Sequence, residues 1–213
     1  MYHPQLEQLT AFATAAEFQE QVLQAKAEHF ARTGEIFEDD RSYESRMATF
    51  LEYYLFDRVL EPQGATPAEL FRRARHEQVG PEEREILEGF THTLHALFEV
   101  RKLHPGGVRV RDLFTGVDHE VFERRSVVGM AKGDILEARL IPNGGHQLFS
   151  QAFRYHPKEA RKAILREIKR RKKKAPESLD PEAFLETLSR MALKVDRYRS
   201  VAVEAIYAFD PKA

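Results

Sequence analysis

Three side chains, Glu88, His92 and His95, have types and spacing that could hold a divalent metal ion. The sequence predicts a helix from Gly80 to about Leu97, and residues three or four positions apart share one face of a helix. Imidazole and carboxylate groups are common ligands of such metals. The chain lacks His-Glu-x-x-His, and a fourth ligand would have to come from elsewhere. The sequence therefore favours core or surface histidines and leaves a metal-dependent hydrolase as a minor alternative.

Other reactive patterns are weaker or missing. The acidic cluster of Glu38, Asp39, Asp40 and Glu44 lies at a predicted helix start, where backbone N–H groups favour anions without any catalysis. No Gly-x-Ser-x-Gly or glycine-rich phosphate loop occurs. The absence of cysteine excludes disulfides, thiolate zinc sites and cysteine nucleophiles. We therefore expect no catalytic residue, no cofactor and a non-enzymatic role.

Charge is strongly sorted along the chain. Residues 1–62 carry 12 acidic and 5 basic side chains, whereas residues 154–174 carry 11 basic and 2 acidic ones. The formal net charge of the 213 residues is nevertheless only −1. The basic segment predicts either a contact with nucleic acid or another polyanion, or pairing with the protein's own acidic helices. The candidate polyanion-binding residues are Arg166, Lys169, Arg170, Arg171, Lys172, Lys173 and Lys174.

The elements that would position these side chains begin with helices. Apolar residues recur at three- and four-residue steps over Leu6–Thr33 and over Ser42–Arg58. Thr66-Pro67-Ala-Glu69 is a strong helix start, because threonine can cap the helix, proline fits its first turn and glutamate completes a capping box. Residues 1–97 are therefore predicted to be a helical region.

Residues 98–153 have the alternating pattern of a small sheet. Five strands are predicted, and the connections between them are too short for crossover helices, so we expect an antiparallel sheet or half-open barrel. The predicted strands are 98–103, 108–113, 119–123, 135–141 and 146–150. Residues 154–213 are predicted to be helical, with a helix from Pro157 to Lys174, a second from Asp180 to Leu193 and a last one over 196–209. In this last segment Val201, Val203 and Ile206 leave a strand as the alternative. The fold class is therefore α+β.

An arginine pair lies between the third and fourth predicted strands. Arg124-Arg125, followed by Ser126 and Gly129, resembles the pair that binds a cyclic dinucleotide in PilZ domains. The Asp/Asn-x-Ser-x-x-Gly element that accompanies the pair in those domains is not reproduced here. The resemblance is therefore a minor alternative.

An ordered set of short motifs resembles an uncharacterised bacterial family whose members often end in a SEC-C zinc motif. The set includes Tyr53-Tyr-Leu-Phe-Asp57, Pro81-Glu-Glu-Arg-Glu-Ile-Leu87, Asp112-Leu-Phe-Thr-Gly116 and Gly133-Asp-Ile-Leu-Glu-Ala-Arg-Leu140. It covers about residues 43–153. The resemblance implies a bacterial, cytoplasmic origin and a shared domain layout. It implies no zinc here, because the SEC-C tail needs cysteines that this chain lacks.

Together these observations predict an interaction or adaptor module that binds a protein partner in a bacterial cytoplasm. A nucleic-acid- or ribosome-associated protein is the alternative, and homodimerisation through opposite charges is possible. No stretch of the sequence is long and apolar enough to span a membrane, and Met1-Tyr-His-Pro does not resemble a signal peptide.

Overall fold

A computed structural model describes residues 2–122, 129–174 and 179–209. These residues form an α+β structure with eight α-helices and six strands. The helices are α1 (His3–Ala13), α2 (Gln19–Thr33), α3 (Tyr43–Phe56), α4 (Pro67–Arg75), α5 (Pro81–Phe90), α6 (Arg161–Lys174), α7 (Pro181–Arg197) and α8 (Val203–Ile206). The strands are β1 (Leu94–His104), β2 (Gly107–Asp112), β3 (Asp118–Phe122), β4 (Ile135–Asn143), β5 (His146–Phe149) and β6 (Arg154–Tyr155).

The N-terminal helices follow the predicted apolar spacing, with one break. The single helix expected over 6–33 is divided by extended backbone at Ala15 and a 3₁₀ turn at Ala16–Phe18. The break brings the Phe12 and Phe18 rings to 5.5 Å, so that α1 and α2 pack into the same core. The predicted capping box of α4 is confirmed, since the backbone N–H of Glu69 donates to Thr66 Oγ1 at 3.3 Å and that of Thr66 donates to Glu69 Oε2 at 2.8 Å.

The sheet closes on itself as a small barrel. All five predicted strands are present, and β1, β2, β3, β5 and β4 pair in that order, with β4 pairing back to β1. Closure leaves no unpaired edge in this ring. The interior is apolar and includes Phe98, Val110, Leu136 and Phe149.

The prediction of five antiparallel strands is wrong in two respects. A sixth strand, β6, pairs with β4, and β3 pairs with β5 in parallel through Val121 and Gln147. Two residues are too short for a period-two pattern to show, so β6 could not be seen in the sequence. The sheet thus extends beyond residues 98–153 at both ends, from Leu94 to Tyr155.

The helix predicted to reach Leu97 ends at Phe90 instead. Residues 94–97 instead begin β1, because they pair with β4, and tertiary pairing outweighs local helical propensity. From Phe98 onward β1 also pairs with β2. Gly89 makes this junction possible, since a Cβ at this position would lie 2.1 Å from the carbonyl oxygen of Pro142 on β4.

The C-terminal helices cover the outer face of β1 and β4. Ile164 of α6, Phe184 of α7 and Tyr207 are buried in one cluster with Leu97 and Ile135. The helix α7 runs on to Arg197, and up to Phe209, where the described residues end, only the short α8 follows it, so the long last helix predicted over 196–209 is wrong. Arg124 and Arg125 lie outside the described residues. No helix in the described ranges is long and apolar enough to cross a membrane.

The close approach at Gly89 predicts a strong effect of one methyl group. Gly89→Ala should lower the free energy of unfolding by about 3 kcal/mol, because the new Cβ forces helix α5 away from strand β4. Gly106→Ala is the matched control. Its Cβ would meet nothing closer than 3.6 Å, so we expect a change below about 0.5 kcal/mol. Urea denaturation measures both, and equal stabilities for the two variants would contradict the packing argument.

Candidate functional site

The three metal candidates do not form the expected constellation. Because α5 ends at Phe90, His92 lies in the turn that follows and His95 lies on β1, and the two do not share a helix face. His92 Nδ1 is 3.6 Å from Glu88 at the surface, whereas His95 Nε2 is 3.2 Å from Glu137. Within the described ranges, no group of three or more His, Asp or Glu side chains is placed to hold a metal ion.

The basic run is divided by its own helix into two sets. Arg171 bonds to Glu167 at 2.8 Å and lies 5.1 Å above the Phe184 ring, and Lys172 donates to the Leu113 carbonyl at 2.9 Å. Arg170 is exposed and also bonds to Glu167, at 2.6 Å. Arg166, Lys169, Lys173 and Lys174 are exposed.

The acidic N-terminal segment does not neutralise this run. Within the described residues, its carboxylates pair with arginines outside the basic run. Glu28 bonds to Arg58 of the same segment, and Asp40 bonds to Arg197 of α7. Arg32, in the same segment, pairs with Glu182 of α7. The ion pairs of the described residues thus give no support to pairing between the acidic helices and the basic helix.

A charged cavity of about 530 Å³ lies where the N-terminal helices, the barrel and α7 meet. We call it the central pocket. Its side chains come from α2 and α3, from the start of β1, from β4 and from α7. Its ionisable members are His29, Arg32, Glu52, Asp57, His95, Glu137, Arg139, Asp180, Glu182 and Glu186, and its apolar walls include Tyr53, Leu94, Pro181 and Leu185.

Glu137 of β4 is the buried anion of the pocket. Its Oε1 contacts His95 Nε2 at 3.2 Å and its Oε2 accepts from Arg154 Nη1 at 3.3 Å. These contacts follow from strand register, since Glu137 lies opposite Arg154 on β6 and next to the β1 strand that carries His95. Burial by itself would raise the pKa of Glu137, but Arg154 and His95 lower it to about 2. The carboxylate therefore stays ionised.

His95 is held by Glu137 through one ring nitrogen. The other nitrogen, Nδ1, has no hydrogen-bond partner in the part of the chain that the structure describes, and the ring lines the pocket. A carboxylate that fixes one nitrogen of an imidazole leaves the second to accept or donate a proton. The pair can therefore orient a ligand or exchange a proton with it.

Arg139, also on β4, is buried beneath the other side of the pocket. Its guanidinium makes two bonds to Asp57, donates to Thr93 Oγ1 at 2.8 Å and lies 3.5 Å from Glu52. Burial raises the pKa of Glu52 against the opposing effect of Arg139. Asp57 remains 38% exposed, so part of its carboxylate faces solvent.

Arg32 bridges two carboxylates at the mouth of the pocket. It bonds to Glu182 at 2.7 Å and to Glu186 at 3.1 Å, and it stacks 4.9 Å above the Tyr53 ring. His29 lies behind Tyr53, and burial together with nearby Arg46 lowers its pKa to about 3, so its ring is neutral near pH 7. One guanidinium is thus shared by two anions.

Negative charge dominates the lining. Six carboxylates and two guanidinium groups line the cavity. Arg46 and Arg154 are not among the lining residues, although both donate to Ser189 Oγ in its wall. A half-enclosed site with this balance favours a positively charged ligand, because partial burial reduces screening by water and salt.

One comparison identifies the family of this chain. Residues 12–187 match the model of a family of unknown function, DUF7986. The chain belongs to this family. The resemblance to an uncharacterised family is thereby confirmed, whereas the SEC-C association and the bacterial origin stay predictions. Neither the curated proteins nor the solved structures contain a match to the chain.

Sequence reasoning missed the central pocket, because its residues come from five segments that are separated in the sequence. One signal was available: Glu137 and Arg139 are two charges with a spacing of two in the otherwise apolar strand Ile135-Leu-Glu-Ala-Arg-Leu-Ile141. Alternate residues of a strand share a face, so this pair marks a charged strip on a buried strand. Such strips need partners from other elements, here His95, Arg154 and Asp57.

The buried imidazoles predict a pH dependence of stability. Burial lowers the pKa of His29 to about 3 and that of His156 to about 4, each from 6.5. Between each lowered pKa and 6.5, the unfolded chain therefore binds more protons than the folded protein does. The stability that is present above pH 6.5 should thus be lost as the pH falls toward 4. Glu137, whose pKa is lowered from 4.5 to about 2, adds a further loss below about pH 4.5. Each imidazole contributes up to about 1.4 kcal/mol per pH unit.

Urea midpoints measured from pH 7 to pH 4 check this prediction. His29→Phe should make the decline shallower, because Phe cannot take up the proton and its ring fits among Phe30, Phe50 and Tyr53. His92→Phe is the matched control, because its side chain is 67% exposed. An unchanged slope in His29→Phe would contradict the assignment.

Proposed function

We propose that the protein binds a small organic cation in the central pocket. The observation that carries this proposal is the excess of carboxylates in a half-enclosed cavity, six against two lining guanidinium groups. The volume of about 530 Å³ suits a small molecule, and ligand sites of this size combine apolar walls with a few placed polar groups. An ammonium or guanidinium group on a short apolar body matches both features.

The anchoring carboxylates are those not fully satisfied by the protein. Glu182 and Glu186 share the single Arg32, and Glu52 and Asp57 share the single Arg139. The first arrangement leaves negative charge over for a ligand. In the second, burial raises the pKa of Glu52, so the anchor is Asp57, whose side chain is 38% exposed. Tyr53 and Leu185 supply apolar contact beside these groups. His95, oriented by Glu137, is the group that would hydrogen-bond to or exchange a proton with the bound molecule.

The earlier prediction of a protein-binding adaptor module, in a bacterial cytoplasm and with a possible homodimer, stays a prediction. It depended on the absence of reactive constellations in the sequence, and the central pocket removes that basis. The metal-dependent hydrolase has no supporting geometry at Glu88, His92 and His95 within the described residues. The nucleic-acid alternative depends on a different surface, the exposed side of α6.

A thermal-shift panel tests the cation proposal. The purified protein is heated with arginine methyl ester, putrescine, choline, the neutral amide acetamide or the anion succinate, each at 10 mM. A cation present at ten times its dissociation constant stabilises by about 1.4 kcal/mol. For a chain of this size that raises the melting temperature by about 3–5 °C. Acetamide and succinate should give no rise.

Glu186→Gln is the matched pocket variant. It removes one anion while Arg32 keeps its 2.7 Å bond to Glu182, so the fold should persist. We expect the dissociation constant of the best cation to rise about tenfold by calorimetry, which corresponds to about 1.4 kcal/mol. Glu17→Gln, on the exposed 3₁₀ turn, should bind as the wild type does. Stabilisation by succinate rather than by any cation, or equal affinity in Glu186→Gln, would refute the proposal.

A further inference from the structure

Helix α6 presents an outer face made entirely of cations. Every residue of α6 that is exposed is a lysine or an arginine: Lys162, Arg166, Lys169, Arg170, Lys173 and Lys174. Its apolar residues Ile164 and Ile168 are buried against the barrel and α7. The helix is thus docked through one face, and the opposite face carries only positive charge.

Four of these cations form a straight row. Lys162, Arg166, Lys169 and Lys173 follow one another at steps of four, three and four residues, which places them on one side of the helix. At 1.5 Å per residue the row is about 16 Å long, with neighbours about 4.5–6 Å apart along the axis. We call these four residues the basic row.

The basic row has no carboxylate partners among the described residues. The described residues offer no ion-pair partner to any of its four members, although Arg170 and Arg171 beside it bond to Glu167. Lys162 and Arg166 also line a surface groove that contains three carboxylates, those of Glu159, Glu167 and Glu204. A row of like charges on a helix is destabilising by a few tenths of a kcal/mol per pair, so a row that the described residues leave without carboxylate partners points to an external anion.

We infer that the basic row binds the phosphate backbone of nucleic acid without reading its sequence. Each strand of a duplex carries one phosphate per about 3.4 Å of the helix axis. A row of four cations about 16 Å long therefore lies within reach of about four phosphates of one strand. A membrane surface fits less well, since the exposed face has no apolar residue to enter the lipid. No exposed aromatic lies within α6 to stack on a base, which agrees with contacts to phosphate alone.

Fluorescence anisotropy with a labelled 20-nucleotide oligouridylate and a 20-base-pair DNA duplex tests this inference from 25 to 200 mM KCl. About four phosphate contacts predict that affinity falls about 50-fold for the single strand and 150-fold for the duplex between 50 and 200 mM salt. Binding of either probe with this steepness supports the inference. An absence of binding to both at 25 mM KCl overturns it.

The decisive variant replaces the basic row by Lys162→Gln, Arg166→Gln, Lys169→Gln and Lys173→Gln together. Its affinity at 50 mM salt should fall at least 50-fold and its salt slope should approach zero. The matched control removes the same charge at four exposed cations elsewhere, Arg41→Gln, Arg73→Gln, Lys102→Gln and Lys194→Gln, and should bind as the wild type does.

Circular dichroism and the melting temperature must show that both variants are folded. If the control loses as much affinity as the basic-row variant, only net charge matters and the inference fails. Flotation with phosphatidylserine vesicles provides the last arm: binding to vesicles but not to either oligonucleotide would assign the row to membranes and overturn the inference. None of these results depends on the central pocket.

Discussion

The need of buried guanidinium groups for hydrogen-bond partners organises the centre of this protein. Arg46 is 2% exposed, and an unpaired charge at such a depth would cost several kcal/mol. It donates to the Thr33 and Gly34 carbonyl oxygens at the end of α2, both at 2.9 Å, and to Ser189 Oγ of α7 at 3.1 Å. Those carbonyls lack partners within their helix, so the arginine and the helix end satisfy one another.

The hydrogen-bond network continues beyond Ser189. The same hydroxyl oxygen accepts from Arg154 Nη1 at 2.9 Å, and Arg154 pairs with Glu137, which holds His95. Arg190 and Arg197 of α7 also donate to carbonyl oxygens of Arg32 and Glu35 at the end of α2. The N-terminal helices, the barrel and α7 are thereby joined through polar contacts, and the central pocket lies against this network rather than in an apolar core.

The fold was largely predictable because local signals mark most of its elements. Thr66 and Glu69 fix the start of α4, Asp180 caps α7 through the backbone N–H of Ala183 at 3.2 Å, and alternation reveals the five longer strands. The errors have nonlocal causes. Pairing with β4 converts residues 94–97 from helix to strand, and β6 exists because it pairs with β4. The pocket was invisible for the same reason, since the charge pattern of Glu137 and Arg139 has meaning only beside residues of α3 and β1.

The polar contacts that close the pocket join residues far apart in the chain. Arg46 and Ser189 are 143 positions apart, and Arg190 reaches back 158 positions to Arg32. Contacts of such long sequence separation are slow to form, because much chain must be ordered before they contribute. During synthesis the helices α1–α5 and the barrel emerge before α7. Until α7 has docked, Arg46 and Arg154 lack their hydrogen-bond acceptor Ser189. A nascent or truncated chain without α7 would therefore lack one wall of the central pocket, and the pocket would form only after α7 has docked.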